Sequence, residues 1–213
     1  MFFSSDYPYE TTLKNEFPFM AEQFDLIYYF PTNYSEKDGP KNLPGNVTLV
    51  DLLERTKENW RKPTINILCT AIYLYTIETF KKGNFKSYLI NFKSYFSILL
   101  RNLTWAKELR IFIVKNNLQD AFYYDYWFEN ATIALAYLKK QKVINTVISR
   151  SHRFDLYDES WGRNGKVPFR SFKINQLNSV YTVALHGKEY FQNKVKPHLR
   201  DKIKLSYLGI EIP

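Results

Sequence analysis

The stretch Lys142–Glu159, KVINTVISRSHRFDLYDE, decides the fold. Its first half is β-branched and apolar, with Val143, Ile144, Val147 and Ile148 in a short run. That composition predicts a strand over 142–149. The second half reverses character: Arg150, His152, Arg153, Asp155, Tyr157, Asp158 and Glu159 crowd into ten positions. An apolar strand that opens into a dense polar turn fits the carboxyl end of a strand in an open α/β sheet, where ligands bind.

Working outward, DAFYYDYWF (120–128) predicts a strand. ENATIALAYLKKQ (129–141) predicts a helix with Ile133, Ala136 and Tyr137 inward. Downstream, PFRSFKINQLN (168–178) reads as a helix, SVYTVAL (179–185) as a strand, GKEYFQNKVK (187–196) as a helix and IKLSYLGI (203–210) as a last strand. Strand and helix thus alternate, which predicts an α/β fold: a Rossmann-like parallel sheet with flanking helices. His186 and Gly187 begin a helix after a strand and read as turn residues, and KVKPHLRDKIK (194–204) reads as a solvated basic face.

The first half is less regular. MFFSS is a short apolar start. TTLKNEFPFMAEQ (11–23) places Leu13, Phe17 and Met20 on one helical face, with Pro18 interrupting. FDLIYYF (24–30) predicts a strand, 31–46 a loop, and VTLVDL (47–52) a second strand candidate, while VDLLERTKENW (50–60) also suits a helix. Lys62 to Asn117 reads as helices. Within it Phe85, Tyr88, Leu89, Phe92, Tyr95, Phe96 and Leu99 step by three and four, with Lys86, Lys93 and Arg101 off that face. Such a stripe either faces the core or lies on a membrane surface.

The chain has 213 residues, enough for one domain, 1–213, with a proper core. Its net charge of +9 favours partners that carry phosphate, whether nucleotide or anionic lipid. No zinc-finger spacing or RNA-recognition signature accompanies the charge, so no nucleic-acid partner is expected. There is one cysteine, Cys69, which excludes an internal disulfide. It sits in the apolar run INILCTAIYLY and is expected to be a buried, inert thiol in a cytoplasmic protein. No apolar run of about 20 residues predicts a membrane span. MFFSSDYPYE does not have the pattern of a secretory leader.

Four motifs in order carry a resemblance to a known family. SRSHRFDLYDE resembles a Ser-Arg-Ala-His turn followed by Asp-Leu-Tyr-Glu. YPYETTLKNEFPFM resembles a Tyr-Pro-Tyr loop and the helix after it, although glycines expected between Tyr9 and Glu10 are missing. YYDYWF resembles a Tyr-Ser-Tyr-Trp strand end, with Asp125 in place of Ser. VYTVALHGKEYF follows, with Ala184 where Ser is usual. Together they resemble the N-terminal, acceptor-side half of a bacterial family 4 GT-B glycosyltransferase, a retaining enzyme of surface-polysaccharide synthesis. LGIEIP stands where the family's linker begins, so the resemblance implies that the nucleotide-sugar domain lies outside this chain and that the chain alone transfers no sugar.

The resemblance implies a nucleotide-sugar donor, a sugar or lipid-linked acceptor, no cofactor and no metal, with a peripheral position at the inner membrane face as an open expectation. It places His152 as the catalytic, sugar-contacting residue; the alternative is a structural histidine bonded to a neighbouring loop. Asp155 either fixes its loop by accepting backbone N–H bonds or orients His152 or an acceptor hydroxyl. Arg150 and Arg153 suit phosphate; for Arg150 the alternative is a salt bridge to Asp158 or Glu159. Glu10 and Thr11 border the cleft in the first loop, with Thr11 or Thr12 open to a helix N-cap. Tyr124, Tyr126 and Trp127 either stack an acceptor sugar or pack in the core. The competing function is a non-catalytic module that binds an anionic or lipid-linked partner.

Overall fold

In the computed structural model, residues 2–5, 11–31, 43–52, 60–161 and 164–208 are described, the backbone alone for 2–5 and 11–15. The strands are β1 (Phe2–Ser5), β2 (Ile27–Pro31), β3 (Val47–Leu49), β4 (Phe122–Asp125), β5 (Thr146–Ser151), β6 (Ser179–Thr182) and β7 (Ile203–Leu205). The helices are α1 (Thr11–Gln23), α2 (Ile65–Thr79), α3 (Phe85–Ile90), α4 (Phe92–Lys115), α5 (Asn130–Lys140), α6 (Arg153–Leu156), α7 (Arg170–Gln176) and α8 (Leu185–Lys194).

The strands form one sheet in the order β3-β2-β1-β4-β5-β6-β7, and each neighbouring pair is parallel. The fold is therefore the expected Rossmann-like α/β sheet. The order runs outward from β1 to β3, then reverses and continues from β4 on the other side of β1. That reversal opens a crevice at the carboxyl ends of β1 and β4, the position where such sheets take ligands. The registers Ser4↔Asp125 and Asp125↔Ser149 align these strand ends with that of β5.

Alternation along each strand builds a core on both faces. Phe30, Tyr123 and Val147 point into the larger cluster, while their neighbours Tyr29, Tyr124 and Ile148 point into a smaller one with Phe17 and Ala21 of α1. α5 is buried almost all round, from Ala131 to Ala136 and at Leu138, because it packs against α4 on one side and α7 on the other. α4 supplies Leu99, Leu103, Ala106, Leu109 and Ile113 at helical spacing. Pro18 lies inside α1 without ending it.

Two expectations are corrected here. The stripe from Phe85 to Leu99 does not belong to one core-facing helix. The chain breaks at Asn91 between α3 and α4, so Tyr88, Tyr95 and Leu99 are buried while Phe85, Leu89 and Phe92 are exposed. Cys69 is exposed rather than buried, because α2 is apolar on both its inner and its outer face. The predicted loop 31–46 and the helix alternative at 50–60 lie largely outside the described residues, as does LGIEIP beyond Leu208.

The tyrosines that make the chain unusually aromatic do more than fill volume. Tyr75, Tyr88 and Phe169 meet edge-on or tilted, with Tyr95 against Tyr88. Their hydroxyls hold backbone: Tyr75 donates to the Tyr88 carbonyl at 2.5 Å, and Tyr95 donates to the Lys166 carbonyl at 2.7 Å. Tyr88 accepts the Phe169 N–H at 2.8 Å, which pins a residue with a left-handed backbone (φ 53°). Tyr88→Phe strands that buried N–H and is expected to lower unfolding free energy by about 1–3 kcal/mol in denaturant titrations. A loss near zero would mean that the bond does not hold the loop.

Candidate functional site

The site is built from the segments that follow β4 and β5. After Asp125 the chain leaves the sheet, and a pair of buried charged side chains dictates its path. The Asp155 carboxylate, fully buried at the start of α6, accepts the Phe128 N–H at 2.7 Å. From the other side, the Lys173 ammonium on α7 donates to the Phe128 carbonyl at 2.6 Å and lies 4.0 Å from the Phe128 ring centroid. The Phe128 peptide is gripped at both its polar ends.

The same carboxylate fixes the turn after β5. Its second oxygen accepts the His152 N–H at 2.5 Å and the Ser151 hydroxyl at 3.0 Å, the carboxylate half of a capping box at the N-terminus of α6. Burial pushes Asp155 above the ordinary carboxylate range and Lys173 below the ordinary amine range. The donors on Asp155 and the charge of Lys173 oppose the first move, and the charges of Asp155 and Glu129 oppose the second. This is the loop-fixing arrangement: Asp155 accepts two backbone N–H groups and the Ser151 hydroxyl.

His152 sits where these two anchored turns meet. Its ring centroid is 4.2 Å from that of Trp127 and 4.9 Å from that of Tyr126, and the ring hydrogen-bonds the Tyr126 backbone. The residue is 8% exposed, and its Nε2 has no hydrogen-bond partner among the described residues. Burial, reinforced by the nearby Arg150 charge, pulls its pKa down to about 4. At neutral pH it is an uncharged imidazole with one buried, unpartnered nitrogen.

Arg150 points from β5 to the opposite side. It pairs with Glu16 on α1, and its guanidinium lies 5.6 Å from the Tyr126 ring centroid. The expected partners Asp158 and Glu159 are engaged elsewhere: Asp158 with Arg170 at 3.0 Å and Lys194 at 3.2 Å, Glu159 with the Tyr190 hydroxyl at 3.1 Å. The reason is the side-chain alternation of β5, which sends Arg150 to the α1 face of the sheet. Tyr124 and Tyr126 are buried in the cluster under α1, and Trp127 is half-buried. Arg153 is exposed. Thr11 begins α1, and Glu10 lies outside the described residues.

His152 and Arg153 open a cleft of about 830 Å³ between α6 and the start of α8, with Phe154, Tyr157, Ala184 and His186 in its walls. Tyr157 is parallel to the His186 ring at 6.4 Å and packs on Tyr190 at 4.6 Å. Gly187, read as a turn residue, is a buried residue of α8; a Cβ there would come 2.9 Å from the Leu156 side chain, so glycine lets α8 approach α6. The structure thus joins His152, Asp155 and Trp127 in one assembly with Arg153 on the cleft wall, and sets Arg150 and Tyr124 behind them.

Sequence reasoning missed Lys173, Phe128 and Glu16. Lys173 left a signal: it stands four residues from both Phe169 and Leu177, an apolar slot of α7 occupied by a cation. Glu16 left none. Among the described residues no group of three or more His, Cys, Asp or Glu has the arrangement of a metal site. No protein-family model and no curated protein matches the chain.

Asp155→Asn sets an amide N–H2 against backbone N–H donors and is expected to lower stability by about 1–3 kcal/mol in urea unfolding. Wild-type stability would mean that the carboxylate does not hold the two turns. A pH experiment addresses His152. Its folded pKa lies below the ordinary 6.5, so the unfolded chain binds the extra proton first as the pH falls. The stability this residue contributes is full above pH 6.5 and is lost as the pH drops toward 4. Urea unfolding between pH 7 and 4.5 is expected to show a shallower decline in His152→Gln than in the wild type; identical slopes would place His152 in water.

Proposed function

We propose that residues 1–213 form the acceptor-side half of a GT-B glycosyltransferase that acts with retention in polysaccharide assembly. The observation that carries the reading is His152: a nearly buried imidazole whose buried Nε2 has no hydrogen-bond partner among the described residues, packed on Trp127, at the carboxyl end of β5 and close to the strand-order reversal. A purely structural histidine in such a place ordinarily satisfies both ring nitrogens. An uncharged imidazole with a spare nitrogen suits a sugar hydroxyl, and the half-buried Trp127 indole suits a sugar face.

In the transfer, the bond from the sugar C1 to the donor diphosphate breaks, a bond from C1 to an acceptor hydroxyl oxygen forms, and the hydroxyl proton passes to the departing diphosphate. His152 holds the reacting sugar in position, and Arg153 offers charge to an anionic group of the substrate. Asp155 and Lys173 act through the backbone as positioning residues. No metal or cofactor enters this reading. We place the protein in the cytoplasm, which its lone exposed Cys69 suits.

The test is a titration of the isotope-labelled chain with nucleotide sugars and with neutral and phosphorylated saccharides, read by NMR. Saturable shifts are expected at the Trp127 indole, His152 and Arg153. His152→Ala is expected to weaken binding by roughly two- to tenfold, the worth of one hydrogen bond. Shifts confined to other surfaces, or an unchanged affinity in His152→Ala, would remove this residue from the site. When joined to a nucleotide-sugar domain, His152→Ala is expected to lower turnover more than donor affinity.

A further inference from the structure

Buried hydrophobic residues are accounted for by the two cores, but the outer face of the α2–α3 hairpin is not. Ile65, Ile72 and Ile77 of α2 and Phe80 at its C-cap are all exposed, from 40% at Ile77 to 73% at Phe80. Tyr73 and Cys69 lie on the same outer side. The Phe80 ring meets that of Phe85 at 5.9 Å, and this contact carries the apolar surface onto α3, where Phe85, Leu89 and Ile90 are each more than half exposed. A soluble monomer seldom shows so much contiguous apolar surface without a use for it.

Among the described residues of the hairpin and the start of α4, the exposed charges are of one sign. Lys82 and Lys86 are exposed along the hairpin, Lys93 is exposed at the start of α4, and Lys140 stands 5.2 Å from the Tyr73 ring centroid. Between Lys62 and Lys107 the only acidic residue is Glu78, and it is buried and paired with Lys81. A basic rim around an apolar centre complements an anionic lipid surface, where lysines meet headgroups and aromatic and aliphatic side chains enter the acyl boundary. A second copy in a two-fold dimer fits poorly, because lysine would face lysine. No described helix is long and apolar enough to cross a membrane, and α2 has 15 residues, so the hairpin lies on the surface.

We infer that the outer face of α2 and α3 is a docking surface for anionic membranes. It uses none of the residues of the cleft, so it stands or falls apart from sugar transfer.

The test is co-sedimentation of the chain with vesicles of phosphatidylcholine alone and of phosphatidylcholine with phosphatidylglycerol, at low and high salt. Binding is expected on the anionic vesicles and is expected to fall with salt. Lys82→Gln with Lys86→Gln is expected to weaken it by about 25-fold, roughly fivefold for each lysine. Phe80→Ser with Phe85→Ser is expected to weaken it at least as much while leaving the thermal midpoint unchanged, since both rings are exposed. If the midpoint shifts, Ile72→Ser with Leu89→Ser makes the same comparison. Equal binding to both vesicle types, no binding at low salt, or unchanged binding in the variants would each overturn the inference. So would a concentration-dependent dimer in sedimentation velocity that the phenylalanine substitutions abolish.

Discussion

The Phe128 peptide, held between Asp155 and Lys173, is the constraint on which the site depends. One carboxylate accepts N–H groups from two different turns, Phe128 after β4 and His152 after β5, and one ammonium holds the carbonyl of the first. Two strand exits that share a single buried anchor cannot move independently. This is why Trp127 and His152 meet ring to ring, and why His152 is dry enough to stay neutral. The cost of burying both charged groups is offset by the bonds they make: two backbone N–H groups and the Ser151 hydroxyl donate to Asp155, and the Phe128 and Glu129 carbonyls accept from Lys173.

The aromatic-rich helical layer uses the same strategy with neutral groups. Tyr75, Tyr88 and Tyr95 bury their rings; the Tyr75 hydroxyl holds the Tyr88 carbonyl, and those of Tyr88 and Tyr95 hold backbone atoms of the segment before α7. That segment leads into Lys173. The helical layer therefore fixes the far end of the anchor, and the tyrosine content has a structural role beyond bulk. It does not explain the exposed face of α2, where isoleucine and phenylalanine meet solvent with lysines around them.

Much of this was legible in the residues. Alternating strands and helices after Asp120 implied the parallel sheet because each segment has its own period. The polar turn after β5 stood out because carboxylates and arginines seldom follow an apolar run so closely. Asp155 as the fixer of its loop follows from a carboxylate placed shortly after a strand end. What was hidden depends on contacts distant in sequence. Arg150 finds Glu16 across 134 positions, and no local pattern reports such a pairing. The break at Asn91 turned one apparent stripe into two faces, and the exposure of Cys69 followed from a helix that is apolar on both sides. Periodicity states which residues share a face, but not which face finds a neighbour.

Amide hydrogen exchange at Phe128 tests the anchor most directly. Phe128 lies beyond the sheet, in a segment with no regular secondary structure, where an ordinary turn amide exchanges through local opening. With its N–H on Asp155 and its carbonyl on Lys173, it is predicted to exchange as slowly as the Tyr123 and Tyr124 amides of β4, through global unfolding alone. Exchange of Phe128 at the rate of exposed turn amides, with β4 still protected, would contradict the account.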